Sequence, residues 1–253
     1  MRVLLAALAL FLFLALPLVP GDVPTLLNVT DTDFAGGAFN QTEVIGAQNL
    51  TLAQNGTAGF FYFGNFSTRV LDAGFVVDWV DIRTVQVVNT TAGNVIKYRT
   101  RAGNTSSPDL TWETFGQNYS AGDQITNAQA RYIQYAAWLE TADNSSSPKV
   151  EEVALTYFLI PPQVSLLGAP VQANNSPNIS LSCSVSSPNQ LRNLSIYTTA
   201  GGWHRNQTVT LSGSSASVMF NLTGVPDGTY SWNCLGRMKP ARKVPGRPIT
   251  RLP

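Results

Sequence analysis

Between residues 130 and 140 apolar and polar side chains alternate. Ile133, Tyr135, Ala137 and Leu139 share one face of an extended chain, and Gln134 and Glu140 lie on the other, the two-residue period of a half-buried strand. Val153, Leu155 and Tyr157 repeat it. Between the two runs, residues 141–149 hold Asp143, Asn144, three serines and Pro148, types that end strands and shape turns. The pattern predicts a hairpin, the closing pair of an antiparallel sheet. Upstream, short apolar runs recur around Leu50 to Leu52, Phe60 to Phe63, Trp79 to Ile82 and Ile96 to Arg101, separated by Gly, Asn, Ser and Pro. Such punctuation about every eight to twelve residues, without a helical period, predicts an all-β sandwich or barrel.

Ile160-Pro161-Pro162 interrupts this series, because proline supplies no ladder donor and restricts the residue before it. Six further alternating runs follow: 164–166, 179–185, 194–197, 209–211, 218–222 and 229–234. Cys183 falls on the second and Cys234 on the sixth, the arrangement of an immunoglobulin-like sandwich. Such a sandwich needs a seventh strand. Instead, from Arg237 the chain turns basic and proline-rich with no alternation. That reads either as a solvated tail or, the expectation favoured here, as a chain cut short or shifted in frame so that the last strand is missing.

Three passages in the first half resemble the discoidin-like, galactose-binding-like jelly-roll modules of prokaryotic cell-surface proteins. They are Arg131-Tyr132-Ile133-Gln134-Tyr135 with Pro148-Lys149-Val150-Glu151-Glu152-Val153; Ser67-Thr68-Arg69-Val70-Leu71-Asp72-Ala73-Gly74; and Trp79-Val80-Asp81-Ile82 followed by Ile96 to Arg101. The resemblance covers residues 31–157 and implies a jelly-roll β-sandwich. Pro226-Asp227-Gly228-Thr229-Tyr230-Ser231-Trp232-Asn233-Cys234 resembles the late strand of prokaryotic Ig-like surface repeats. In antibody-type domains a tyrosine stands two residues before the second cysteine and bonds back to the chain. Here Trp232 holds that place and Tyr230 lies four before, which puts that bond in doubt. The expected organisation is all-β with an N-terminal signal helix: 1–21 signal peptide or anchor, 22–159 discoidin-like jelly roll, 160–236 Ig-like sandwich lacking its last strand, and 237–253 basic disordered tail.

Met1-Arg2 and the apolar run to Leu16 have the form of a secretory signal. No Ala-x-Ala site follows, and the run to Val19 sits near the roughly 17 residues that can span a bilayer, so cleavage and retention as an anchor both stay open. Fourteen Asn-x-Ser/Thr sequons, at Asn28, Asn40, Asn49, Asn55, Asn65, Asn89, Asn104, Asn118, Asn144, Asn174, Asn178, Asn193, Asn206 and Asn221, point the same way, toward a secreted or surface glycoprotein. In that setting Cys183 and Cys234 are expected to form a disulfide rather than to act as thiols. Six of the sixteen basic residues crowd into the last seventeen positions. Without them and Arg2, nine basic residues face fifteen acidic ones, about −6, which excludes nucleic acid as a partner of the body of the chain.

Candidate chemistry is sparse. His204 is the single histidine, placed in a turn. Asp31 with Asp33, and Asp72 with Asp78 and Asp81, could offer oxygen ligands to Ca2+ or an acid/base pair, against the simpler reading of turn residues and solvated faces. No phosphate loop, nucleophile elbow or zinc spacing occurs. Jelly-roll modules that bind sugars do so at loop tips, so the resemblance implies a site in residues 99–119, with Arg101, Asn104, Asp109, Trp112 and Tyr119; the competing account makes Trp112 a core residue. The functional expectation is a non-catalytic exported glycoprotein with structural or adhesive modules. The alternative is a carbohydrate-binding module of a surface protein or of a larger secreted hydrolase. Expected partners are surface glycans or other surface proteins, and a membrane only through an uncleaved N-terminus.

Overall fold

The computed structural model describes residues 26–32, 34–46, 48–167 and 177–240. The segment 1–21 expected to be a signal peptide or anchor, Asp33, Asn174 and residues 241–253 lie outside them. The described chain is all-β and divides into two compact units, residues 26–159 and 160–240.

The first unit contains β1 (Leu26–Asp31), β2 (Ala38–Asn40), β3 (Thr42–Ile45), β4 (Asn49–Leu52), β5 (Phe63–Ser67), β6 (Leu71–Val87), β7 (Val95–Gly103), β8 (Ala130–Glu140) and β9 (Lys149–Leu159). In one layer β8 lies between β7 on one side and β5 with the start of β6 on the other, and β2 extends β5. In the second, β9 has β6 on one side and, along its other edge, β1 and then β4, which pairs in turn with β3. Strand β6 belongs to both. Its register breaks between Asp72 and Val77, where Gly74 takes φ +81° and donates its N–H to Asp72 Oδ1 at 2.7 Å. A side chain would strain that backbone. The two layers thus form a jelly-roll-like sandwich, and Ile133, Tyr135, Ala137, Leu139, Val153 and Leu155 are fully buried between them, with Tyr157 and Trp79 nearly so.

Strands β8 and β9 do not pair. β8 bonds to β5, β6 and β7, and β9 to β1, β4 and β6, so residues 141–148 form an arch between layers and the expected hairpin is corrected. Either connection buries one face of each strand, so alternation cannot tell them apart. Packed sheets lie about 10 Å apart, a gap an eight-residue loop crosses readily.

The second unit holds β10 (Gln163–Leu167), β11 (Ile179–Ser186), β12 (Leu191–Thr198), β13 (His204–Thr210), β14 (Ser215–Leu222) and β15 (Trp232–Met238). Two three-stranded sheets, β10-β11-β14 and β13-β12-β15, enclose Leu181, Cys183, Val185, Leu194, Ile196, Phe220 and Cys234. Two expectations change here. Strand β15 runs through Arg237 and Met238, so these two are sheet rather than tail, and Lys239 N–H just beyond it still bonds to Gln190 C=O at 2.9 Å. Their side chains alternate too weakly to show it: Arg237 is exposed and Met238 half-buried. Tyr230 also bonds back to the chain from its displaced position, its hydroxyl donating to Pro226 C=O at 3.1 Å.

Candidate functional site

The segment 104–129, which overlaps the sugar site expected in residues 99–119, has a structural task. The sandwich is open between the free edges of β7 and β6. Glu113 N–H bonds to Ala102 C=O, Gly116 N–H to Thr100 C=O, and Tyr119 exchanges both backbone bonds with Tyr98, all along β7. The chain then crosses to β6, where Gly122 and Ile82, Asp123 and Ile82, and Ile125 and Val80 bond. This strap closes the side of the sandwich with Trp112, Tyr119 and Ile125.

The five expected residues do not converge on an open site, and that expectation is corrected. Trp112 is only 6% exposed. One part of its ring packs where a Cβ on Gly103 would come within 2.4 Å of it. Arg101 lies 5.7 Å from its ring centre and 4.7 Å from that of Phe115, while donating twice to Gln134 Oε1 at 3.0 and 2.7 Å. Indole Nε1 donates to Thr105 Oγ1 at 2.8 Å, so no ring face is left for a sugar. Tyr119 is buried and its hydroxyl meets Thr126 Oγ1 at 3.1 Å. Asn104 Oδ1 accepts the Arg131 N–H at 3.0 Å. Asp109 accepts from the Thr111 hydroxyl at 2.6 Å and its N–H at 2.8 Å, bonds that hold its carboxyl below the usual range.

The carboxylates are also engaged separately. Asp31 is fully buried, accepting the hydroxyls of Thr68 at 2.8 Å and Tyr135 at 2.9 Å on Oδ2, with Arg69 Nη1 3.0 Å from Oδ1. That last contact is ionic without hydrogen-bond alignment, since Oδ1 makes no directed bond. Asp72 takes both Nε and Nη2 of Arg131, at 2.8 and 2.9 Å. Asp81 binds Arg83 and the Thr156 hydroxyl, and Asp78 is exposed. Among the described residues no three His, Cys, Asp or Glu side chains gather as metal ligands do. Asp31, Asp72 and Asp81 each face a different arginine, which sequence spacing does not reveal. His204 opens β13, exposed, with Nδ1 2.7 Å from Gly202 C=O.

The exposed feature that the sequence reading overlooked lies on the outer face of the first layer. Phe63 (50% exposed) and Trp138 (40%) stand there with ring centroids 6.5 Å apart and planes 11° from parallel. Trp138 occupies the polar phase of the β8 alternation, opposite in parity to Ile133 and Leu139, so the signal was present in the sequence. In the second unit, Tyr197 stacks on the exposed Trp203 at 6.0 Å. Its two sheets are joined by the Cys183–Cys234 disulfide, from β11 to β15.

No protein-family model matches the chain. No curated protein matches it either. Among solved structures it is similar to one titled "Structure of allantoicase", at a TM-score of 0.26 and 5% identity, over 81% of this chain and 89% of that one. That neighbour is an enzyme, so the expectation of a non-catalytic chain is withdrawn. At that TM-score and identity the likeness carries no argument for an activity.

Proposed function

We propose that the chain is an exported cell-surface glycoprotein, built from a discoidin-like jelly-roll module and an Ig-like module that serve structural or adhesive roles. The buried disulfide carries the reading. Cys183 is fully buried and Cys234 nearly so, and their bond joins opposite sheets. Such a bond persists in an oxidising compartment and is rare in a reducing one. The cysteine positions on the second and sixth strands, with the Tyr230 bond to Pro226 C=O, favour an Ig-like module over another sandwich. The accessible sequons add support: of the thirteen sequon asparagines among the described residues, none is buried.

The test is to produce the full chain with its own N-terminus in a secreting, N-glycosylating cell and to ask where it resides and in what chemical state. The expected result is protein reached by an impermeant amine-reactive label, with both cysteines oxidised and a glycan-dependent excess mass. Protein confined to the cytosol with two free thiols and the bare polypeptide mass overturns the reading.

A further inference from the structure

The exposed aromatic pair on the outer face of β5 and β8 has a sequon between its members. Asn65 belongs to Asn65-Phe66-Ser67, and the register sets Asn65 directly opposite Trp138 and Phe63 opposite Glu140. Residues two apart on a strand share a face, and directly opposed residues have Cβ atoms about 4.5 to 5.5 Å apart. Phe63, Asn65 and Trp138 therefore sit together facing outward, while Gly64 and Phe66 turn into the core and are buried. The next outward position on β8 is Ala136, which leaves room beside the amide. Asn65 is half-buried, and its side-chain amide takes part in none of the hydrogen bonds among the described residues. Of the fourteen sequons, Asn65 alone has a Phe, Tyr or Trp two positions before it. Asn40, a sequon directly across from Asn65 on β2, has Ala38 in that place.

We propose that Asn65 carries an N-linked glycan whose first sugar lies on the Phe63–Trp138 platform, so that the exposed aromatics are the seat of the protein's own modification. This rests on the export reading above. A pyranose presents a face of C–H bonds that packs on an aromatic plane, and seating it there removes apolar surface from water on both partners. In the attachment step Asn65 Nδ2 bonds to the anomeric carbon of an oligosaccharide carried on a lipid phosphate or pyrophosphate. The bond from that carbon to the phosphate oxygen breaks with its electron pair leaving on the oxygen, and one amide proton is released. The outward Ser67 supplies the sequon hydroxyl on the same face.

Glycopeptide mass spectrometry of the full chain secreted from an N-glycosylating host decides occupancy, and proton NMR of the glycoprotein decides contact. Asn65 is expected to be occupied, and Asn65→Gln to lower the intact mass by one glycan. The first sugar's ring protons are expected upfield of their free positions, the shift being lost in Phe63→Ala with Trp138→Ala. Both aromatics are solvent-facing, so the double variant should keep the native fold. Enzymatic deglycosylation should lower Tm by a few degrees in the wild type and not in the double variant. Asn65 bare while other sequons are occupied overturns this inference and leaves the export reading standing. Sugar shifts identical in wild type and double variant overturn the platform. All sequons bare in secreted protein overturns both.

Discussion

The first unit buries a few polar side chains among its apolar core. Asp31 is a buried carboxylate whose charge is met by two hydroxyls and one guanidinium; an unmatched charge at that depth would cost several kcal/mol. Burial raises the Tyr98, Tyr135 and Tyr157 phenols above the ordinary value, and at Tyr135 the Asp31 charge adds to it. The sign follows from linkage. The folded state keeps these protons where the unfolded chain has released them, so stability holds below about pH 10 and falls as pH rises beyond it. In an alkaline titration these three phenolates should appear only as the β-sheet circular dichroism is lost; three phenolates formed with the sheet signal intact would refute this. Trp112 is a packing residue by the same logic. Trp112→Ala should cost about 3 to 5 kcal/mol in urea unfolding, and Gly103→Ala, which drives a methyl into the indole, about 1 to 3 kcal/mol. Wild-type midpoints for both would return Trp112 to the surface.

At the scale of elements, two connections decide the first unit. The arch at 141–148 carries the chain between layers and is pinned at its base: Thr141 Oγ1 donates to Asp143 C=O at 2.8 Å, and Asp143 Oδ1 accepts the Ser145 N–H at 2.9 Å. The strap then closes the side that this topology leaves open. Its backbone bonds to β6 and β7 predict a specific hydrogen-exchange pattern. The amides of Gly116, Tyr119, Gly122 and Ile125 should be protected to near the level of β6 and β7, while those of Ser106 and Ser107 at its tip exchange as fast as free peptide. Uniformly fast exchange across 112–125 would show that the strap is not part of the sandwich. In the second unit β15 is bonded on one side by β12, and its other edge pairs with no strand among the described residues.

At the scale of the whole molecule the two units are stabilised by different means. The first has no cysteine and draws on a large core with buried aromatics. The second has a core of nine fully or nearly buried side chains and a disulfide closing 51 residues of chain, worth about 4 kcal/mol in the chain-entropy account. Calorimetry of the full chain with and without reductant should show one transition falling by many degrees and the other unmoved. If both fell together, or neither moved, the stabilities of the units would not be divided in this way.

The sequence determined the local half of this protein. Period-two alternation marked β8 and β9 with their inward faces and the six strands of the second unit, because a strand that buries one face carries that record, whereas the short β1, β2 and β3 were not marked. It also marked the proline break between units and the cysteines on the second and sixth strands of the second unit, since both are written residue by residue. Only the tertiary structure decided which strands pair. A strand entering an arch and a strand entering a hairpin have the same alternation, so β8 and β9 read alike and lie in opposite layers. The same limit governed the candidate site. Arg101, Asp109, Trp112 and Tyr119 have the composition of a sugar-binding loop, but whether an aromatic offers its face to a ligand or seals an edge depends on what lies across from it. Gly103 and Arg101 lie against Trp112, and nothing in the spacing of those residues states it. Trp138 shows the converse: its parity placed it outside, and the register alone set it beside Asn65.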